Sequence, residues 1–315
     1  MPMKPLVKIW KKSTTIQKIF YVATLIIGLH LISKINLNNQ EGFDDKKKSN
    51  SKSGKFITKR GDKIYDDYYV SIYDDLLHSE AKDKFEIDNI MHFTTPNKKS
   101  SILDIGSGTG HHVNNLTKKG IKTVGIDTSS AMVKKAKELY PDGDYKVASA
   151  LDTMTFAGAS FSHILCLYFT IYYIKNKKLF FENCIHWLMP GGFLVLHLVD
   201  RDRFDPLVPA GDPFTIVSPQ KYAEKRITST TVKFEGMEYK SNFEVVNNDD
   251  IAFLNEIFKS TDTGDVRKNE HKLYMSTQRE ILSLAKDIGF ILRGKVDMTK
   301  CQYSDQYLYI LQKPE

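Results

Sequence analysis

Cysteine is scarce in this chain: Cys166, Cys184 and Cys301 are the only three among 315 residues. An odd number without metal-ligand spacing excludes a disulfide framework and a cysteine-held zinc ion. A reducing compartment follows, and no metal site is expected. Proline and glycine are modest, with 10 and 18 residues, which excludes a collagen-like or low-complexity chain. A basic body is lacking too. Residues 1–60 hold 13 Lys/Arg against 3 Asp/Glu, whereas the rest hold 32 against 35, so the net charge of +7 divides into +10 and −3. A mildly acidic body cannot neutralise phosphates, so nucleic acid is not an expected partner.

One long apolar segment is present, residues 16–35, flanked by lysines. A helix needs about 20 residues to cross a bilayer. The segment reaches that length if Lys18 and Lys34 snorkel and His30 is tolerated. It is read as a single-pass anchor behind a basic tail, residues 1–15. A signal peptide and an amphipathic or core helix are the other readings. Lysines on both sides leave the orientation open. Residues 36–60 are rich in Asn, Lys, Ser and Gly and read as a flexible linker. A folded domain is expected over 61–315.

Within that domain strands and helices alternate. Helical periodicity with aromatics covers 65–93. Strands are expected at 101–105, 123–127, 144–148, 162–168 and 193–199. Helices are expected at 111–119, 130–139 and 177–188. The pattern breaks between 200 and 276, where 228–234, 238–246 and 272–275 read as strands of a β-rich lid. It resumes with a helix at 277–288 and strands at 291–296 and 306–311. Such alternation builds an α/β fold, a doubly wound and mostly parallel sheet with helices on both faces.

The chemistry is concentrated in Ser101 to Gly110. An apolar strand delivers Asp104 and then Gly106, Gly108 and Gly110 at alternate positions. Such a loop lets a ligand approach the backbone, and the following helix N-terminus adds donors. Asp127, 17 residues beyond Gly110, ends the next strand, where an acid can accept both hydroxyls of a ribose. A dinucleotide fingerprint spaces its glycines G-x-G-x-x-G to seat a pyrophosphate. Here the spacing is G-x-G-x-G, with His111 in place of the final glycine.

Leu103 to Gly110 resembles the first motif of class I, Rossmann-like S-adenosylmethionine-dependent methyltransferases. Val124 to Ser129 with Met132 resembles their second. Met154 to Phe161 and Leu188 to Leu194 resemble the stretches before the fourth and fifth strands. The resemblance spans about 64–313 and implies a seven-stranded sheet with an antiparallel last strand. It implies S-adenosylmethionine as cofactor, with the methionine end near Asp104 and Gly106 and the ribose on Asp127. Thr128 and Met132 would flank the adenine, whose edge would meet the backbone at Ala150 and Leu151. The family often carries an acid near 150 where this chain has Ala150, so Asp152 or the backbone alone would make that contact.

Methyl transfer needs alignment of an acceptor and, for some acceptors, removal of a proton. Tyr168, at the end of the fourth strand, is the first candidate contact, with Tyr172 and Tyr173 behind it. Tyr65, Tyr69 and Tyr73 belong to the helix that covers the cofactor in related enzymes. Arg267 to Leu273 resembles an R-x-x-E-H-x-L strand of small-molecule N-methyltransferases. That resemblance implies His271 as general base and Arg267 as binder of an acceptor carboxylate or phosphate. Glu244 is a further candidate for orienting an amine. The expected activity is methylation of a small molecule beside a membrane, with the domain on the cytosolic side. A protein or lipid methyltransferase and a non-enzymatic cofactor-binding scaffold are the alternatives.

Overall fold

A computed structural model of the chain describes residues 54–206, 223–246 and 250–315, together with Thr14 and Lys18. All but those two belong to one compact unit, Lys52–Glu315. Apart from Lys18, the expected anchor lies outside the described residues. Among the described residues, no helix is long and apolar enough to cross a membrane.

The main sheet has seven strands, β2 (Ser101–Ile105), β3 (Lys122–Asp127), β4 (Asp144–Val147), β5 (Phe161–Cys166), β6 (Leu188–Val199), β11 (Ile291–Asp297) and β12 (Gln306–Gln312). Their order is β11-β12-β6-β5-β2-β3-β4. The four contacts among β2 to β6 are parallel, while β12 runs antiparallel to both β6 and β11. The parallel strands are covered on both faces, which is why they read as continuous apolar runs. On one face lie α6 (Lys177–Trp187) and α7 (Gln278–Ile288), burying Phe180, Phe181, Trp187, Ile281 and Ala285. On the other lie α2 (Glu80–Thr94) and α3 (His111–Lys118), burying Ile87, Ile90 and Leu116. Helix α7 opens with a capping box of Thr277 and Glu280 and ends at Gly289, whose φ is 115°. Helix α4 (Ser130–Leu139) follows β3, and a single turn, α5 (Thr170–Tyr173), follows β5.

A second sheet holds five strands in the order β1-β10-β9-β8-β7. They are β1 (Phe56–Arg60), β7 (Ser229–Phe234), β8 (Met237–Val246), β9 (Ile251–Ser260) and β10 (Val266–Tyr274). Helix α1 (Asp67–Leu77) packs on it through Tyr69 and Leu76 against Tyr239 and Phe258.

Several expectations are corrected. The expected linker ends too late, because Phe56–Arg60 pairs in parallel with Val266–Glu270. An edge strand with little buried apolar surface is held by backbone bonds, so its composition reads as linker. Strand β9 was not anticipated, and β10 begins earlier than expected. The Pro190-Gly191-Gly192 stretch lies inside β6, with an irregularity in its pairing with β5 between Phe161 and His163. The helical stretch 65–93 is two helices, separated at His78 and Ser79.

Arg267 is corrected as an acceptor binder. Its Nη1 donates to both carboxylate oxygens of Asp66 at 2.8 and 2.9 Å, Nη2 to the Ile64 carbonyl at 2.8 Å, and Nε to Asn269 at 2.9 Å. The guanidinium also lies 4.9 Å from the ring centroid of Tyr68. With every nitrogen committed, it fastens the start of α1 to β10. Arg267→Ala should lower unfolding free energy by about 2 kcal/mol, within the ~1.5–3 kcal/mol of hydrogen bonds to charged groups. Arg267→Lys should recover only part, since an ammonium lacks the planar fork. Urea denaturation checks this, and an unchanged midpoint in Arg267→Ala would show that the fork contributes nothing.

Candidate active site

The glycine loop joins β2 to α3. Gly106 and Ser107 donate their backbone N–H groups to the Ile126 carbonyl at 2.8 and 3.0 Å, folding the loop against β3. Gly106 has φ of 71°, and a Cβ there would lie 2.4 Å from the Thr170 hydroxyl, so no side chain fits. Above Gly108 a Cβ would stand 3.9 Å from the ring of Tyr73, filling the gap between loop and covering helix. Asp127 closes the far side. Its Oδ2 accepts from Gly108 N at 3.1 Å and its Oδ1 from Ser129 N at 2.8 Å. Each oxygen keeps a lone pair for a further donor. Burial raises the Asp127 pKa, and the backbone donors of Ser129 and Gly108 partly offset it.

The remaining expected cofactor residues divide. Asp104 is buried at the end of β2, and burial pushes its carboxyl up to about 7, with His112 opposing. Thr128 is exposed beside Asp127, while Met132 is buried in α4. Ser129 caps α4, and its hydroxyl donates to the Tyr65 carbonyl at 2.7 Å, tying cover to loop. At the expected adenine edge, Leu151 has local partners. Its N–H donates to Ser149 Oγ at 3.1 Å, and the Ala150 carbonyl accepts from Asn183 at 2.9 Å. Asp152 accepts from Met154 N at 3.0 Å as a cap. Those groups are satisfied locally.

Opposite the loop stands a group of rings. Tyr65 lies 5.5 Å from Tyr69, 6.4 Å from Tyr73, and 6.0 Å from both Tyr173 and His271, by ring centroids. Such ring clusters favour cations. Behind them is Glu256 of β9, 1% exposed. Its Oε1 accepts from Tyr69 at 3.1 Å and Tyr239 at 3.0 Å, and its Oε2 from Asn269 at 3.1 Å and His271 Nε2 at 2.8 Å. Burial alone would raise its pKa, but His271, Asn269 and Tyr239 outweigh that and hold it below the ordinary value. An ionised Glu256 can only accept, so His271 Nε2 carries the proton. In the neutral imidazole Nδ1 is then the acceptor for the Tyr173 hydroxyl, 2.8 Å away. His271 is 1% exposed with both nitrogens engaged.

Tyr168 has φ of 51°, a left-handed backbone that costs a bulky residue about 1–3 kcal/mol and marks functional turns. Its ring lies 5.3 Å from the Lys82 ammonium, and burial pushes its hydroxyl up to about 12. Lys82 in turn pairs with Glu86 at 2.9 Å and Asp83 at 3.2 Å, and Glu86 with His112 at 2.8 Å. Tyr172 is structural, its hydroxyl accepting from Val199 N at 2.8 Å. Glu244 is corrected, since it points to solvent from β8.

Residues 103–196, from the first strand of the sheet to the end of the fifth, match the methyltransferase domain family. Those residues carry a methyltransferase domain. The chain is 28% identical over 136 residues to a dTDP-3-amino-3,4,6-trideoxy-alpha-D-glucopyranose N,N-dimethyltransferase of Streptomyces venezuelae, covering 42% of this chain and 54% of that one. It is 26% identical over 204 residues to a phosphoethanolamine N-methyltransferase of Plasmodium falciparum, covering 62% and 70%. Two of the curated relatives that it matches are spanned over only 36% and 54% of their own length. A solved S-adenosylmethionine-dependent methyltransferase of Clostridium acetobutylicum shares the fold at a TM-score of 0.59 and 16% identity, over 79% of this chain and 98% of that one. The methyltransferase domain thus accounts for the loop, the acid at 127 and the sheet order together.

The raised pKa of Asp104 makes a prediction about the cofactor. A cationic ligand beside it selects the ionised form. Between pH 6 and pH 8 a carboxyl with pKa about 7 goes from roughly one-tenth to nine-tenths ionised. Adenosylmethionine affinity should rise about ten-fold over that range, with proton uptake by buffer below pH 7. Calorimetry in buffers of different ionisation heat measures both. Asp104→Asn should flatten the profile; a flat profile in the unmodified protein would remove Asp104 from the cofactor's methionine end.

Proposed function

We propose that the domain transfers the methyl group of S-adenosylmethionine to the nitrogen of a small-molecule amine, and that Tyr173 takes up the amine's proton. The observation that carries this reading is the hydrogen-bonded line Tyr173–His271–Glu256 facing the glycine loop across a group of tyrosines. Both curated relatives described above bear names of N-methyltransferases, one for an amino sugar nucleotide and one for phosphoethanolamine, which supports an amine acceptor.

The cofactor supplies an electrophilic methyl group on a sulfonium. The protein's share is to bind, orient and deprotonate. Asp127 and the Gly108 region hold the ribose side. The tyrosine rings exclude water and favour the positive charge that the acceptor carries before or after transfer. An ammonium must lose a proton before its nitrogen can attack. The Tyr173 oxygen accepts that proton while its own passes to His271 Nδ1. The resulting imidazolium is stabilised by Glu256, which keeps its negative charge. Electrons and protons balance: one N–H bond breaks, one N–H bond forms on His271, and Tyr173 ends as it began.

The test is formation of S-adenosylhomocysteine by the full chain with a panel of amino sugar nucleotides and phosphorylated amino alcohols. Tyr173→Phe should lower kcat by about 10²–10⁴-fold, the usual range for a lost acid–base group, with cofactor binding intact. Asp127→Ala should instead weaken S-adenosylhomocysteine binding by about 1.5–3 kcal/mol. Full turnover in Tyr173→Phe would sink the relay. Tight cofactor binding without turnover on any amine would sink the choice of acceptor.

A further inference from the structure

The described residues hold a second cluster of ligating side chains, on the outer side of the glycine loop and away from the Tyr173 line. Three elements meet there. Helix α1 contributes Asp74 and, at its C-cap, His78. Helix α2 contributes Asp83, and α3 begins at His111, directly after the loop. Ligand atoms of His78, Asp83 and His111 all lie within 4.8 Å of one another. His78 Nε2 is 3.2 Å from Asp83 Oδ2, and His111 Nε2 is 3.2 Å from Asp74 Oδ2. Neighbouring ligands of a tetrahedral ion with bonds of about 2.0 Å stand about 3.3 Å apart.

Two further observations point to a ligand. His111 Nε2 is buried, and its one polar neighbour at short range is the carboxylate of Asp74, 3.2 Å away, rather than a fixed donor. The other nitrogen of the same ring, Nδ1, is engaged with the Tyr140 hydroxyl at 2.8 Å. When Nδ1–H donates to that oxygen, the Nε2 lone pair is left facing the cluster. This is how metal-binding histidines are oriented. Asp83 is divided in the same sense: Oδ1 holds Lys82 at 3.2 Å, and Oδ2 faces His78. The imidazoles of His78 and His111 stack at 3.7 Å with 7° between planes. Closing on one ion requires the exposed His78 ring to swing out of that stack. The neighbouring trio Asp83, Glu86 and His112 is a different case, because the Lys82 ammonium already sits among its carboxylates.

We propose that His78, His111 and Asp83 bind one divalent transition ion of the zinc class, and that Asp74, 3.2 Å from His111, closes in as the fourth ligand. Two imidazoles and two carboxylates suit such an ion better than magnesium or calcium, which prefer all-oxygen shells. Bound there, the ion ties the covering helix α1 to the first turn after the glycine loop. The cysteines take no part.

The full chain, stripped with a chelator, is titrated with Co²⁺ and followed by its visible absorption, then with Zn²⁺. One equivalent should bind with an intense tetrahedral band that Zn²⁺ abolishes. His78→Ala and His111→Ala should each weaken binding at least ten-fold, while His92→Ala, exposed at the far end of α2, should leave it unchanged. Far-UV circular dichroism checks that each variant is folded; His78 caps a helix end at the surface, so its variant is the more secure. No tetrahedral band, or affinity equal in all three variants, would overturn the site and leave only ion pairs. S-adenosylhomocysteine binding is measured on the same samples, so loss of the metal site is separable from loss of the methyltransferase reading.

Discussion

Glu256 is a charge buried in the lid, and a buried carboxylate is tolerated only when its lone pairs are filled. Its four donors come from three places: Tyr69 on the covering helix, Tyr239 on β8, and Asn269 and His271 on β10. The helix, the lid sheet and, through His271, the Tyr173 turn must therefore stand in one relation for the charge to be stable. Removing any one donor leaves a buried lone pair unfilled. That constraint gives the acceptor side of the site a rigidity that apolar packing alone, adaptable in detail, would not supply.

The cofactor side is organised on the same physics with a different partner set. Asp127 is half-buried and accepts from the backbone N–H groups of Gly108 in the loop that it faces and of Ser129. The loop is thus shaped by the residue that a ribose would also engage. Beneath it, Lys82, Glu86 and His112 neutralise one another among buried neighbours; burial alone would raise the Glu86 pKa, but Lys82 and His112 hold it far below the ordinary value. His197, also fully buried, is pushed down to about 4 by burial and stays neutral. The charged groups are kept paired while an unpaired one, Asp104, is left responsive near neutral pH.

Much of this was open to inspection in the amino-acid order. The apolar runs before Gly106 and after Gly192, the alternate glycines, Asp127 and the strand–helix alternation are local signals, and each states its own element. The lid was harder. In β9, Ala252, Leu254, Glu256 and Phe258 share one face, and an acid at an inward position is the signal that could have revealed Glu256. It went unread because Asn255, Glu256 and Lys259 interrupt the apolar alternation by which strands are recognised. Arg267 was misread for the converse reason: a cation in a suggestive motif gives no sign of the distant Asp66 that claims it.

The sequence by itself determined the sheet, the cofactor loop and the acid that ends β3, because backbone propensity, burial periodicity and glycine geometry act over a few residues. Tertiary structure alone decided which polar groups meet. Tyr173 reaches His271 across 98 residues, and Tyr69 reaches Glu256 across 187. His78 and His111, 33 residues apart in the chain, stack ring on ring. Hydrogen-bond partners and metal ligands depend on distances of a few ångströms, and no spacing along the chain records a distance that only folding creates.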